Sequence, residues 1–283
     1  MGARTSPTER QKRLGAEVRR MRTAAGMTGE FAAGLLGVDR GKISNIESGT
    51  RTISPERLRT LACNCDCDDD AYVDALVEMA RSAGQDWWDK YRGSLPVGLL
   101  DIAELEHHAV RLRSVHLIHM PGLLQSTAHA QAVFKAALPP LPEHEVALRL
   151  AHRLERQRVL EGDDPTAYVG ILHEAALRMQ FGGPKVAHGQ LEHLLVMSSL
   201  PHVSLQVIPF TAGAFPGAGQ TVVYMEGPVR RLDTVQIDST HGPEFVYHEA
   251  QLSKYRAQLD WMEQHSLSPA DSHSFIQDIA KQL

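Results

Sequence analysis

The sequence predicts an α+β protein in two parts, an N-terminal all-α domain of five helices and a C-terminal α+β domain with a mixed sheet and flanking helices. Three observations predict this. Apolar residues up to residue 83 recur at helical spacing, while strand-like runs rich in β-branched and aromatic residues begin only near residue 167. The charge also changes sign along the chain: up to Thr60 there are 12 Lys and Arg against 6 Asp and Glu, net +6, and beyond it 17 against 28, net −11. A basic module joined to an acidic one assigns contact with a polyanion to the N-terminal part, because phosphate neutralisation supplies most non-specific affinity for nucleic acid. We place the boundary between residues 83 and 84, giving domains 1–83 and 84–283.

The first helix covers residues 9–25, with Leu14, Val18, Met21 and Ala25 on one face and arginines on the other. Gly26 ends it. Thr28 is the N-cap of a second helix, whose apolar residues are Phe31, Ala32, Leu35 and Leu36, and Gly37 breaks it. Asp39 caps a third, in which Ile43 and Ile46 share a face, with Gly49 just past its end. Ser54-Pro55 opens a fourth helix through Leu58 and Leu61, and a fifth spans residues 70–83. In the second domain Trp87, Trp88 and Tyr91 are expected to bridge the two domains, and helices are expected over 100–117, 124–138 and 143–161. Strands follow at 167–172, 203–208, 221–225, 232–237 and 245–247. A helix at 186–200 separates the first two, which makes a right-handed β-α-β unit with parallel pairing. Residues 221–237 form an antiparallel hairpin bent at Gly227-Pro228, and two helices, 250–265 and 269–283, close the chain.

Composition narrows the class. Hydrophobic residues at 43%, charged at 22% and aromatic at 6% match soluble globular chains and argue against collagen, disorder and a disulfide scaffold. No apolar run approaches the roughly 18 residues of a membrane helix, and residues 1–11 are polar where a signal peptide would be apolar. The expectation is a cytoplasmic protein without a membrane partner.

Residues 28–37 and 39–49 have the dimensions of a helix-turn-helix, whose second helix fits a major groove about 12 Å wide. With Ile43 and Ile46 turned inward, Gly41, Ser44, Asn45 and Ser48 turn outward, flanked by Arg40 and Lys42. Asn45 can pair bidentately with adenine, Arg40 or Lys42 can donate to guanine or phosphate, and Ser44 and Ser48 are small polar residues a groove tolerates. Arg51 stands where a side chain reaches backbone phosphate, and the helix amides near Thr28 are a second phosphate site. Glu47 lies about 40° from Ile43 on the helical wheel, an inward edge where a carboxylate needs a partner. A helical bundle with a solvated basic face explains neither the charge segregation nor the lack of large apolar residues on the outer face of the third helix.

Residues 14–62 (LGAEVRRMRTAAGMTGEFAAGLLGVDRGKISNIESGTRTISPERLRTLA) resemble the Xre-type, phage-repressor-like helix-turn-helix family. That resemblance implies that Arg22 pairs with Glu47 as a structural pair that also orients a phosphate contact. The family commonly places a base-reading glutamine after the threonine of its second helix; here Gly29 stands there, so specificity falls to Arg40, Lys42, Ser44 and Asn45. From Trp87 onward, the stretches WWDKY, MPGLLQ, RLERQRVL, ILHEAALRMQFGGP, HGQLEHLL and VSLQVIPF resemble the large C-terminal domain of unassigned function that accompanies this helix-turn-helix in actinobacterial regulators. His248 and His129 depart from the aliphatic residue and tyrosine more usual there. The resemblance implies transcription factors of development and secondary metabolism, often encoded beside a small partner protein.

Other clusters carry weaker chemistry. Cys63, Cys65 and Cys67 have a spacing that lets thiolates share a soft metal or act as a redox switch, but they read better as small residues at a helix end and loop. His116-x-x-His119 and His107-His108 lack the H-E-x-x-H arrangement of catalytic zinc, and His173-Glu174 with Arg178 is accompanied by no nucleophile elbow, P-loop or dinucleotide motif. No metal, cofactor or catalytic residue is assigned, and the chain is not expected to be an enzyme. The expected partners are double-stranded DNA, a second copy of the chain, and a small partner protein or small-molecule effector. Dimerisation is expected because one small module buries too little surface for the typical specific affinity of about 10⁻⁸ to 10⁻¹¹ M. The helix at 143–161 is a candidate dimerising element and the Gly- and Pro-rich loop 211–219 a candidate lid over a ligand site. The competing readings are an antitoxin-like module controlled by a small partner protein and an enzyme targeted to DNA.

Overall fold

The computed structural model describes residues 6–81, 86–217, 219–239 and 241–283. The chain divides into two compact units, residues 1–90 and 91–283. The boundary expected between residues 83 and 84 lies outside the described residues.

The first unit is built from α1 (Glu9–Ala24), α2 (Gly29–Leu35), α3 (Arg40–Glu47), α4 (Pro55–Asn64) and α5 (Asp70–Arg81). Its helices start where side chains satisfy the first free amides. Thr8 and Gln11 form a reciprocal capping box, and Thr28, Asp39 and Ser54 each accept the amide three residues on. Each such cap is worth about 1 kcal/mol. Leu14, Val18 and Met21 of α1, Ile43 and Ile46 of α3, and Leu58, Leu61 and Leu76 form the buried interior. In α2 the inner positions are taken by Ala32 and Ala33, so Phe31, read from the sequence as part of the apolar stripe, is instead 63% exposed. Among the described residues the one carboxylate deep in this unit, Glu17, is met by Arg13 at 3.0 Å and by Arg20 and the Tyr72 hydroxyl.

The second unit runs α6 (Val97–His107), β1 (Arg111–His116), α7 (Thr127–Lys135), α8 (Glu143–Arg156), β2 (Ala167–His173), α9 (Glu174–Arg178), α10 (Pro184–Met197), β3 (Val203–Ile208), β4 (Val222–Glu226), β5 (Thr234–Ser239), β6 (Gly242–Val246), α11 (Glu249–His265) and α12 (Pro269–Ala280). The sheet order is β3-β2-β1-β4-β5-β6. The first three strands in that order pair in parallel, with Val115 opposite Ile171 and Ile171 opposite Gln206; from β1 onward the pairing through β4, β5 and β6 is antiparallel, with Ser114 opposite Val223 and Val223 opposite Gln236. Thus the sheet is mixed, the β2-α10-β3 crossover is parallel and β4-β5 is a hairpin.

The helix expected over 100–117 is two elements: α6 stops at His107 and β1 occupies the centre of the sheet. No glycine or proline separates them, and Leu112 and Val115 stand three apart, a spacing a helix also produces. The polar residues of β1 are accommodated on the buried faces instead. Arg113 reaches Asp260 at 2.6 Å and Glu263 at 2.7 Å on α11, and the Ser114 hydroxyl meets that of Tyr168 at 2.6 Å. The helix expected over 124–138 shortens to α7, preceded by a 3₁₀ turn at Gly122–Leu124, and that over 143–161 ends as a 3₁₀ turn at Gln157–Leu160.

One face of the sheet, through Leu112, Leu172 and Val207, packs on Leu191, Leu194 and Ile276 of α10 and α12. The other, through Val115, Ile171 and Tyr224, packs on Leu252, Leu259 and Met262 of α11. Val146 and Leu150 of α8 lie against Ala130 and Phe134 of α7, so the apolar stripe offered above as a dimer seam is used within the chain.

Candidate nucleic-acid interface

The short turn 36–39 joins α2 to α3, and the C-terminal end of α3 rests directly on the α1 backbone. Two glycines permit that approach. A Cβ added to Gly15 would stand 2.5 Å from the Ile46 carbonyl oxygen and 2.7 Å from that of Glu47, and one on Gly49 would stand 2.7 Å from the Gln11 carbonyl. Gly49 also has φ +76°, the left-handed conformation that ends α3. Gly15 carries no capping or turn signal, which is why the sequence does not single it out.

Arg22 and Glu47 come together in a bidentate pair, Nε to Oε1 at 2.5 Å and Nη2 to Oε2 at 3.1 Å. Arg22 Nη1 also donates to the Met27 carbonyl at 2.6 Å, so one guanidinium joins the end of α1, the turn before α2 and the end of α3. The Glu47 carboxylate holds the Arg22 pKa above its ordinary value. With the inner side of α3 secured by Ile43, Ile46 and this pair, its outer side carries the expected readers.

Arg40, Ser44, Asn45 and Ser48 are exposed and Lys42 is half-buried. Arg40 makes no ion pair among the described residues. Lys42 reaches Asp39 Oδ2 at 3.2 Å, an exposed pair that a phosphate can displace. Asp39 takes its own share of the helix start: it accepts the Lys42 amide at 2.8 Å, which lowers its pKa. The Asn45 side chain accepts only a long contact, 3.5 Å, from the Thr50 hydroxyl, leaving its amide available. The Asn45 backbone carbonyl does more structural work, accepting the Ser48 and Thr50 hydroxyls at 3.1 and 3.0 Å and the Arg51 amide at 3.1 Å. Ser48 therefore closes α3 as its C-cap, and Thr50, which the sequence reading passes over, shares that task. Arg51 is exposed. Thr28 is exposed, and its hydroxyl accepts the Phe31 amide at 3.1 Å as the N-cap of α2.

The cysteine cluster and His173–Glu174 settle into structural surroundings. Cys63 is exposed, and Cys65 and Cys67 lie in the turn that ends α4; burial raises the Cys65 pKa, which disfavours the reactive thiolate. Among the described residues no three His, Cys, Asp or Glu side chains are grouped to hold a metal ion. His173 caps α9 by accepting the Ala175 amide at 3.2 Å, and Glu174 is engaged by the Phe210 amide at 2.9 Å and by Arg178 at 2.7 Å. Gly217 and Gly219 of loop 211–219 line a cavity of about 700 Å³ with Lys254, Tyr255 and Gln258 of α11; Ala218 lies outside the described residues. No helix among the described residues is long and apolar enough to cross a membrane.

No curated protein and no solved structure matches the chain. Residues 13–76, which take in most of α1, all of α2 to α4 and the first part of α5, match the model of a helix-turn-helix domain. Residues 99–278 match the model of a domain of unknown function, DUF5753. That second match spans more than half of the 283 residues, and the chain therefore belongs to the DUF5753 family, with a helix-turn-helix domain preceding the family domain.

Proposed function

We propose that the chain is a sequence-specific DNA-binding transcriptional regulator of the Xre type, of the kind its C-terminal motifs resemble in actinobacteria, acting in the cytoplasm as a homodimer and not as an enzyme. The observation that carries this is the two-sidedness of α3: Ile43, Ile46 and the Arg22–Glu47 pair fix one side, while Arg40, Ser44 and Asn45 stand clear on the other. In this reading Asn45 pairs with adenine, Arg40 and Lys42 donate to guanine or phosphate, Ser44 approaches a base edge, and Arg51 and the amides near Thr28 grip backbone phosphate. Ser48 contributes by ending α3 at the right length. The acidic second unit supplies dimerisation, ligand sensing or partner binding and adds little DNA affinity of its own. Selection of bound fragments from a random DNA pool by the full chain tests the proposal. One enriched motif with two half-sites is expected; a pool retained in proportion to charge alone, without enrichment, overturns it.

A further inference from the structure

Between α6, α7, α8 and the ends of β1, β4 and β5 lies a second cavity, of about 340 Å³, on the sheet face opposite α11. That volume is within the range of small-molecule sites, roughly 300 to 1,000 Å³. Ile102, Leu123, Val133 and Val223 make part of its wall apolar, and Arg153, His116 and His119 bring polar groups to it.

Arg153 and Arg156 follow one another by one turn of α8, yet they are treated differently. Arg156 is held on both oxygens of Glu106, at 2.6 and 2.8 Å, and is neutralised there. Arg153 has no carboxylate within ion-pair distance among the described residues. Its Nη1 donates to the Gln125 side-chain oxygen at 2.6 Å, and its guanidinium lies over the Phe134 ring, 5.0 Å from the centroid. The Nε and Nη2 edge has no protein acceptor among the described residues. Gly122 makes room for this arrangement, since a Cβ there would stand 3.0 Å from Arg153 Nη1. Among the described residues His116, 6% exposed, has no hydrogen-bond partner for its Nδ1, and nearby His129, 1% exposed, has none for either ring nitrogen. Asp238 stands exposed at the rim and accepts from Gln236 at 2.7 Å.

The electrostatics agree with the geometry. Burial, then Arg156, hold Arg153 down at about 9 against the more distant pull of the Glu106 and Asp238 carboxylates, and burial with His119 and Arg153 nearby pushes His116 to about 3 and His129 to about 4. The buried ring nitrogens of His116 and His129 are the kind of polar group that is normally satisfied, and the half-buried guanidinium of Arg153, with an open two-donor edge, matches the geometry of a carboxylate. We propose that this cavity binds the carboxylate of a small amphipathic acid, gripped by the Nε and Nη2 edge of Arg153 beside His116 and His119, with the acid's apolar body against Ile102, Leu123 and Val223. This rests on the reading of residues 91–283 as the regulatory unit and names the effector class that unit would sense.

The test is calorimetric titration of the full chain, without DNA and in a buffer free of carboxylate and phosphate, with hexanoate, hexan-1-ol, hexylammonium and inorganic phosphate as probes. Hexanoate should bind saturably at one per chain, and the other three should not compete with it. Arg153→Gln should weaken hexanoate by about ten- to a hundredfold. Arg153→Lys, which keeps the charge and loses the fork, should weaken it by about tenfold and decides the matter if the glutamine variant does not fold. Lys254→Ala, at the other cavity, should leave it unchanged. Absence of hexanoate binding, equal binding of hexan-1-ol, preference for phosphate, insensitivity to both Arg153 substitutions, or loss through Lys254→Ala overturns the proposal. Because no DNA is present, such a result leaves the role of α3 standing, and a failed operator selection leaves the cavity result standing.

Discussion

Replacing Gly15 with alanine tests how α3 is seated. The added Cβ would lie 2.5 Å from the Ile46 carbonyl oxygen, 2.7 Å from that of Glu47 and 2.8 Å from the Gly49 nitrogen. All three are backbone atoms, so relief requires α1 and the end of α3 to separate, because no side chain can rotate out of the way. Overpacking costs about 1 to 3 kcal/mol, and a backbone obstacle places this site toward the upper part of that range. Alanine returns about 1 kcal/mol through its better helix propensity in the interior of α1. The net expectation is a loss of about 1 to 2 kcal/mol from the first unit. Gly34 in α2 provides the control: nothing lies within 4 Å of its Cβ position, so Gly34→Ala should gain up to about 1 kcal/mol. Amide hydrogen exchange of the full chain, followed at α1 and α3, assigns the effect to this unit. Opposite changes in protection are expected, with weaker operator binding for Gly15→Ala alone. Equal effects in the two variants, or a gain for Gly15→Ala, would refute the claim that this backbone contact seats α3.

Further expectations concern the pair, the readers and acidity. Arg22→Ala should cost about 2 to 4 kcal/mol, because it leaves the Glu47 carboxylate and the Met27 carbonyl without their donor; a double-mutant cycle with Glu47→Gln should give a coupling above about 1 kcal/mol, and additivity would dissolve the pair. Asn45→Ala should cost about 1 to 3 kcal/mol on the operator and far less on random DNA, with equal losses on both removing its reading role. Arg51→Ala should weaken both alike and make the salt slope shallower by about one, which a titration of salt at fixed DNA checks. His116, His129 and His152 are held neutral in the folded state, at about 3, 4 and 3 respectively. Below about pH 6.5 the unfolded chain binds protons at these positions that the folded chain does not, so stability falls as pH drops from there toward 4. Each contributes about 1.4 kcal/mol per pH unit, and urea unfolding of the second unit at pH 7 and 5.5 should differ by several kcal/mol; equal midpoints would show the imidazoles are not desolvated.

The first unit was legible because its signals are local. Thr28, Asp39 and Ser54 cap the helices the sequence assigns to them, and Gly26, Gly37 and Gly49 carry the positive φ that ends each preceding one. The inward turn of Glu47 follows from a wheel angle, and a partner is then required by the cost of a buried carboxylate. Phe31 fails the same test because helical spacing says which residues share a face, not which of two faces is covered. Its neighbours Ala32 and Ala33 are small enough to admit close packing, so the aromatic ring is left outside.

In the second unit the strands with β-branched runs were legible, and β1 was not. RLRSVH places Arg113 and Ser114 in the middle of a sheet, and only partners far along the chain make that tolerable: Asp260 and Glu263 lie roughly 150 positions later, and Tyr168 comes from β2. A strand whose polar groups are satisfied at long range carries no local period-2 signature of burial. The same limitation hid the cavity. His116 belongs to it only once β1 is a strand, and Arg153 becomes an unneutralised donor only because Glu106 is taken by Arg156. Two arginines three apart on an amphipathic helix look equivalent in sequence. What distinguishes them is the allocation of a single carboxylate across fifty positions of chain, and in this fold that allocation leaves Arg153 at the cavity without a carboxylate at ion-pair distance among the described residues.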